Sequence, residues 1–283
     1  MILIVDSGAT KSDWIALNPD GSEFFATQTL GLSPEVLTQQ VIEDRLANNF
    51  EISKHRQKVT ELHFYGAGCG TDRMKRFLTT IFKNFFPKAK VDVKEDTYAA
   101  IYATTEIGKQ GIVCILGTGS NCSYYDGHQP FQKVTSLGYI LMDDASGNYF
   151  GRKLLRDLYF HKIPQDLAIR FAKEYDLEAD TIKENLYKQP NPNTYLATFA
   201  RFIIENKEHS YCKGVIMKGL QQFVNNYIMQ FELATKVPCH FVGSIAYFLK
   251  DELEQVLHNN DLVMGNVLRR PIEGLVQFHK NTL

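Results

Sequence analysis

No G-x-x-x-x-G-K-[ST] occurs in the 283 residues, which closes the Walker A route to nucleotide binding. The five cysteines (Cys69, Cys114, Cys122, Cys212 and Cys239) contain no C-x-x-C pair, and their odd number argues against a disulfide framework. Reduced thiols and a cytoplasmic location are the expectation. An excess of one charge is missing too: the formal net charge is −1, so nothing favours nucleic acid or an anionic membrane as partner. Long apolar runs are absent. The first, Ile2-Leu3-Ile4-Val5, stops at Asp6, which suits a strand and not a signal peptide, and no segment has the length to span a bilayer. The eight histidines form no metal-spaced set.

What is present fits a soluble globular protein. Hydrophobic content is 44%, and the length suits two domains of about 100–200 residues each. The 14 Tyr and 19 Phe are scattered and read as core packing. The densest pattern lies at the start of the chain. An apolar strand leads into Asp6-Ser7-Gly8-Ala9-Thr10-Lys11-Ser12, then a second strand over residues 13–17 is closed by Asn18-Pro19-Asp20-Gly21. The design recurs roughly a hundred residues later: a strand at 112–116, the tight loop Gly117-Thr118-Gly119-Ser120, a return strand at 121–125 and the turn Asp126-Gly127. A glycine loop between antiparallel strands lets backbone N–H groups crowd around a phosphate, because no Cβ blocks the approach. Two such loops suggest a cleft that grips a polyphosphate from both sides.

The intervening pattern is mixed α/β. A third strand at 22–28 is followed by a helix at 34–49, with Ser33 as N-cap and Pro34 in its first turn. A strand at 62–65 runs into Gly66-Ala67-Gly68. Met74, Phe77, Leu78, Ile81, Phe82 and Phe85 are spaced for a helix at 74–86 ending at Pro87. A strand at 91–93 precedes a helix at 97–107, with Asp96 at its start. The second half reads as helices at 146–160, 165–175, 195–206 and 210–234, with residues 189–193 a loop. A strand at 239–242 then meets Gly243-Ser244, before a helix at 246–257, a strand at 262–264 and a terminal helix after Pro271. Residues 1–108 and 109–270 are the expected domains. The sequence leaves open whether the terminal helix, 271–283, returns to complete the first.

Five ordered motifs resemble the actin-like superfamily of sugar kinases, and within it the BadF/BadG/BcrA/BcrD-type ATPase, N-acetylglucosamine kinase-like family. They are the Asp6 to Ser12 loop, Gly66-Ala67-Gly68, Glu95-Asp96 followed by Ala99-Ala100, Gly117-Thr118-Gly119-Ser120-Asn121, and Val242-Gly243-Ser244-Ile245-Ala246. The resemblance covers nearly the whole chain. It implies two ribonuclease H-like (actin-like ATPase) α/β domains related by duplication with a cleft between them, ATP and Mg²⁺ as cofactors, a small sugar substrate, and a homodimer as the family's habit.

At a strand end beside a phosphate loop, Asp6 can hold Mg²⁺ directly or through water, although aspartate is also common before a Ser-Gly turn. Gly8, Ala9, Thr10 and Lys11 would serve the β- and γ-phosphates, with Ala9 standing where many relatives carry a second glycine. Gly117, Thr118, Gly119 and Ser120 would form the second phosphate loop. Gly243 and Ser244 would let the adenosine lie against the backbone, where a plain strand-to-helix turn looks identical. Asp96 matches the catalytic base of the resembled kinases, an aspartate opening a helix before a small-residue run; aspartate is also a favoured helix N-cap, and the two roles can coexist. The segment from Gly138 to Gly147 resembles one that usually reads Gly-Asp-Glu-Gly-Ser, whose first acid contacts sugar hydroxyls. Asp143 fits that role, Asp144 replaces the Glu, and Met142 and Ala145 replace glycines, so this wall should be bulkier. Ser33 stands where a sugar-binding asparagine is expected, and Ala67, Gly68, Asn121, Ser136 and Gly138 complete the substrate set.

The expected activity is transfer of the γ-phosphoryl group of ATP to a hydroxyl of an amino sugar, N-acetylglucosamine-like, or of a related hexose. One alternative is a BadF-type activator of a dehydratase, which holds an iron–sulfur cluster through paired cysteines; Cys122 has no partner at useful spacing. Another is a nucleotide-binding module without turnover, favoured by Ser33, Met142 and Ala145.

Overall fold

The computed structural model describes residues 1–8 and 10–281. The chain divides into two compact units, Met1–Glu106 together with the chain from Arg270 onward, and Ile107–Arg269.

The first unit runs β1 (Ile2–Ser7), β2 (Lys11–Leu17), β3 (Glu23–Leu30), α1 (Gln39–Ala47), α2 (Phe50–His55), β4 (Glu61–Gly66), α3 (Asp72–Phe85), β5 (Lys90–Glu95) and α4 (Asp96–Thr104). Its sheet has the order β3-β2-β1-β4-β5, the first three strands antiparallel and β1, β4 and β5 parallel. β1 lies at the centre, which is why it is apolar on both sides. Leu3 and Val5 join Trp14, Phe64, Leu78 and Phe82 under α1 and α3, whereas Ile2 and Ile4 join Tyr65 and Ala99 on the opposite face.

The second unit runs β6 (Gly111–Leu116), β7 (Ser120–Tyr125), β8 (Pro130–Phe131), α5 (Gly147–Tyr159), α6 (Gln165–Glu174), α7 (Ala179–Tyr187), α8 (Pro192–Thr198), α9 (Ala200–Glu205), α10 (Ser210–Asn226), β9 (Cys239–Val242), α11 (Ser244–Phe248), α12 (Lys250–His258) and β10 (Met264–Leu268). Its sheet order, β10-β9-β6-β7-β8, repeats the first topology strand for strand: a hairpin, a third antiparallel strand, then two parallel strands on the other side. One large apolar cluster built from α5 to α12 covers this sheet. The fold is α/β with a duplicated five-stranded mixed sheet.

The last helix, α13 (Pro271–Lys280), belongs to the first unit. It lies on α4, and its Ile272 and Leu275 are buried with Ile2, Ile4 and Leu17. The contact is close because Gly274 has no side chain: a Cβ there would sit 2.6 Å from the Ala103 carbonyl oxygen.

Several boundaries differ from the sequence expectations. The helix expected from residue 34 begins at Gln39, capped by Thr38, whose hydroxyl accepts from the Val41 N–H; Ser33 is not the cap. It ends at Ala47, and α2 follows as a separate helix with Asn49 as its cap. The helix expected over 195–206 is two, α8 and α9, and the one over 246–257 breaks at Leu249. Helix α10 stops at Asn226, short of residue 234.

Candidate active site

The carboxyl ends of the parallel strands gather the polar residues of the first unit, the usual location of a ligand in an open α/β sheet. Across the sheet, Ser12, Ser7, Gly66 and Glu95 form one row, and Asp13, Asp6, Tyr65 and Lys94 the row before it. Asp6 therefore lies directly opposite Asp13, and Asp96 follows one residue beyond the last row.

The first glycine loop closes on itself, the Gly8 N–H donating to the Lys11 carbonyl at 2.9 Å. The Thr10 carbonyl accepts from Gly31 N–H at 2.9 Å, and the Ser7 hydroxyl accepts from Leu32 N–H at 3.1 Å and from Ser12 Oγ at 2.7 Å. These bonds tie the loop to the chain that carries Ser33. Ala9 lies outside the described residues. The Lys11 ammonium is 3.1 Å from Asp13 Oδ2. Asp13 Oδ1 accepts from Gln28 at 2.7 Å and has the Arg270 guanidinium at 3.9 Å.

Asp6 and Asp96 are half-buried and lie in each other's field. Burial first, then Asp96 and Asp13, push the Asp6 carboxyl up to about 7, against the opposing pull of Lys11 and Arg270. Burial first, then Glu95, push Asp96 up to about 7, opposed by its own and the Thr97 backbone N–H. Asp96 occupies the first turn of α4, and Glu95, not Asp96, is the cap residue. Ser33 is buried, and a Cβ on Gly68 (φ +79°) would meet its hydroxyl at 2.6 Å and the Glu35 side chain at 3.1 Å, so the structure brings Ser33 and Gly68 together. The Ala67 N–H donates to the Ser7 carbonyl at 2.9 Å, which places the Gly66 turn beside the first loop.

In the second unit the Gly117 N–H donates to the Gly119 carbonyl at 3.0 Å, closing the second loop. Gly243 adopts φ +123°, and a Cβ on it would fall 2.2 Å from the Leu116 carbonyl oxygen and 3.1 Å from the Gly117 nitrogen. Only glycine fits there. The turn carrying Ser244 thus lies against the loop formed by residues 117–120.

Asp143 is buried against the same loop. Its Oδ2 accepts from Asn148 Nδ2 at 2.9 Å, and its carboxyl also takes the Ser120 backbone N–H. Burial raises its pKa, and these two donors oppose the rise. Asn148 also donates from Nδ2 and from its backbone N–H to the Thr118 carbonyl, at 2.7 and 3.0 Å. Its Oδ1 is buried without a partner, a cost of about 1–3 kcal/mol. Asn121 spends its side-chain oxygen on the Cys122 N–H at 2.8 Å. Ser136 and Gly138 lie on an exposed loop, anchored where Arg152 donates to the Tyr139 carbonyl at 2.6 Å. All five cysteines are free and buried, Cys122 beside Cys114 at 3.4 Å.

Sequence reasoning missed Asp13, Glu35, Arg270 and Asn148. The period-2 alternation of β2 signals that Asp13 pairs with Asp6 once the hairpin register is known. No local signal marks Arg270, which reaches Asp13 from the far end of the chain. Among the described residues no group of three or more His, Cys, Asp or Glu is arranged to hold a metal by itself, and no helix is long and apolar enough to cross a membrane.

No family model and no curated protein matches the chain. Among solved structures it is similar to a protein from Porphyromonas gingivalis named "putative N-acetylglucosamine kinase", with 32% identity over 99% of both chains and a TM-score of 0.92. A protein of the same description from Chromobacterium violaceum is 14% identical, covers 98% of each chain and has a TM-score of 0.70. A ROK family glucokinase from Streptomyces griseus, solved with glucose and AMPPNP, is 13% identical over 98% of this chain and 97% of its own, with a TM-score of 0.65. The last two show the fold alone. The first shows more: at that identity over the full length, the chain belongs to the N-acetylglucosamine kinase-like family of sugar kinases with the actin-like ATPase fold.

Proposed function

We propose that the protein is an ATP-dependent sugar kinase that transfers the γ-phosphoryl group to a hydroxyl of an N-acetylglucosamine-like amino sugar or a related hexose. The observation that carries this reading is Asp96, a half-buried carboxylate in the first turn of α4 whose pKa of about 7 suits a base working near neutrality. As the acceptor oxygen bonds to the γ-phosphorus and the bond to the ADP oxygen breaks, the hydroxyl proton passes to the Asp96 carboxylate. ADP and the sugar phosphate are the products.

The loop residues Gly8, Thr10 and Lys11, and Gly117, Thr118, Gly119 and Ser120, supply donors to the phosphates. Gly243 and Ser244 take the adenosine. Ser33, Ala67 and Gly68 contact the sugar, with Asn121, Ser136 and Gly138 as further candidates. Asp6 suits Mg²⁺: a carboxylate held near pKa 7 by burial and two acidic neighbours gains from a cation, and Mg²⁺ needs few protein ligands because it keeps water and phosphate oxygens. Bound there, the ion would neutralise phosphate charge.

The test is an ADP-release assay over amino sugars and hexoses, with Asp96→Asn in parallel. The variant is expected to lose about 10²–10⁴-fold in kcat. An unchanged rate would remove Asp96 as the base, and no sugar-dependent release across the panel would remove the kinase reading.

A further inference from the structure

We infer that Asp13 is a positioning residue of the first phosphate loop, holding the Lys11 ammonium in place for the phosphate chain; the inference rests on the sugar-kinase reading above. The two residues are i and i+2 on β2, so their side chains leave the same face of the sheet. Asp6 lies directly opposite Asp13 on β1. By the same alternation it shares its face with Ile2 and Ile4, which pack against Ala99 of α4 and Ile272 and Leu275 of α13. Asp96, in the first turn of α4, and Arg270, the cap residue of α13, stand at the starts of the two helices that cover this face.

Asp13 is buried, and each of its carboxylate oxygens is assigned. Oδ1 accepts from Nε2 of Gln28, its cross-strand neighbour on β3, at 2.7 Å, and has the Arg270 guanidinium 3.9 Å away. Arg270 is held in turn by Glu273 at 3.4 Å. Oδ2 is left to Lys11 Nζ at 3.1 Å. The Lys11 backbone is fixed, since its carbonyl accepts from Gly8 N–H at 2.9 Å, whereas its side chain is 44% exposed and is steadied at the far end by Asp13. A pair this open adds little to stability, so its worth lies in geometry. A lysine free among its rotamers loses that freedom when it meets a phosphate, and one already held does not. The ammonium has further N–H groups, so the one spent on Asp13 leaves others for phosphate oxygens. The arrangement extends to Asp6, whose carboxyl is pulled down by Lys11 and Arg270 and pushed up by Asp13: charges of both signs share one field beside the carboxylate proposed for Mg²⁺.

The test is a double-mutant cycle in the full-length protein: Asp13→Asn, Lys11→Met and the two combined. AMPPNP binding in the presence of Mg²⁺ is measured by calorimetry, and KM for ATP and for the sugar by ADP release. Each single variant should weaken AMPPNP binding and raise KM for ATP by about tenfold, leaving the sugar KM within about twofold. Because Asp13 acts through Lys11, the combined variant should bind within about twofold of Lys11→Met alone. Losses that multiply, as a merely structural role for Asp13 requires, would overturn the inference, and so would AMPPNP affinity unchanged from wild type in either single variant. If Asp13→Asn does not fold, Gln28→Leu takes its place in the cycle, since it removes the donor to Oδ1 from an exposed position. Its smaller loss should vanish in the Lys11→Met background; no loss, or one that persists there, would overturn the inference. Wild-type protein that binds AMPPNP yet phosphorylates no sugar would refute the kinase reading alone, since the calorimetric cycle still decides the role of Asp13.

Discussion

As the proposed base, with a carboxyl that exchanges a proton near pH 7, Asp96 should tie activity and stability to pH in opposite senses. A base must be unprotonated, so kcat/KM should fall as pH drops through about 7, a limb that Asp6 shares, and Asp96→Asn should move what remains of it to lower pH because the Asp96 charge no longer raises Asp6. Stability runs the other way. In the unfolded chain the group titrates near 3.8, so between that value and about 7 the folded state holds the extra proton. The contribution is full below 3.8 and is lost as pH rises through about 7. Asp96→Asn should therefore melt higher than wild type at pH 8 and no higher at pH 4. Equal differences at both pH values would mean that the carboxyl is not shifted. Part of the gain arises at Asp6, whose own shift includes the Asp96 charge. A motif singles out Asp96 in the sequence, and its position at the start of α4 was legible there. Asp13 and Asn148 were not, because their partners depend on register and on a loop that folds back.

Element by element, strands were easier to read than helix ends. Apolar runs such as Cys114-Ile115-Leu116 mark central strands whatever surrounds them, whereas helix limits depend on caps. Ser33 and Thr38 are both good cap residues, and only the fold of the intervening turn selects Thr38. Helix α7 has few apolar positions, Ile182 the buried one, so its periodicity is weak. Beyond α10 the apolar residues Tyr227, Ile228 and Phe231 continue the pattern past the true end, into a short 3-10 turn. Helix α13 carries a consequence of its own. His279 is buried with its Nε2 3.0 Å from the Tyr65 hydroxyl, and its ring centroid lies 4.3 Å from that of His63. Burial first, then His63 and Lys94, hold its pKa down to about 4, with Asp92 opposing. The folded state thus keeps it neutral, while the unfolded chain protonates near 6.5. Stability contributed by this site is full above pH 6.5 and drains away as pH falls toward 4. Thermal melts at pH 7 and pH 5 should show a drop in wild type that His279→Gln lacks. An identical pH dependence in the variant would place the acid sensitivity elsewhere.

For the molecule as a whole, the duplication was visible in the sequence because each unit opens with the same hairpin and glycine loop. The completion of the first unit by the last helix was not, since it joins residues from opposite ends of the chain and leaves no local pattern. Ile272 and Leu275 are buried against β1 and α4, and large buried aliphatic side chains of this kind are typically worth about 2–5 kcal/mol each when truncated to alanine. A chain ending at Arg269 should lose slow amide exchange along β1 and β4 while β6 and β9 keep theirs, measured by hydrogen exchange. Protection of β1 equal to that of the full-length chain would show that the helix is dispensable. During synthesis the order of completion is consequently inverted: residues 1–106 emerge before residues 107–269 yet stay unfinished until α13 has followed, and the uninterrupted stretch between them is ready sooner.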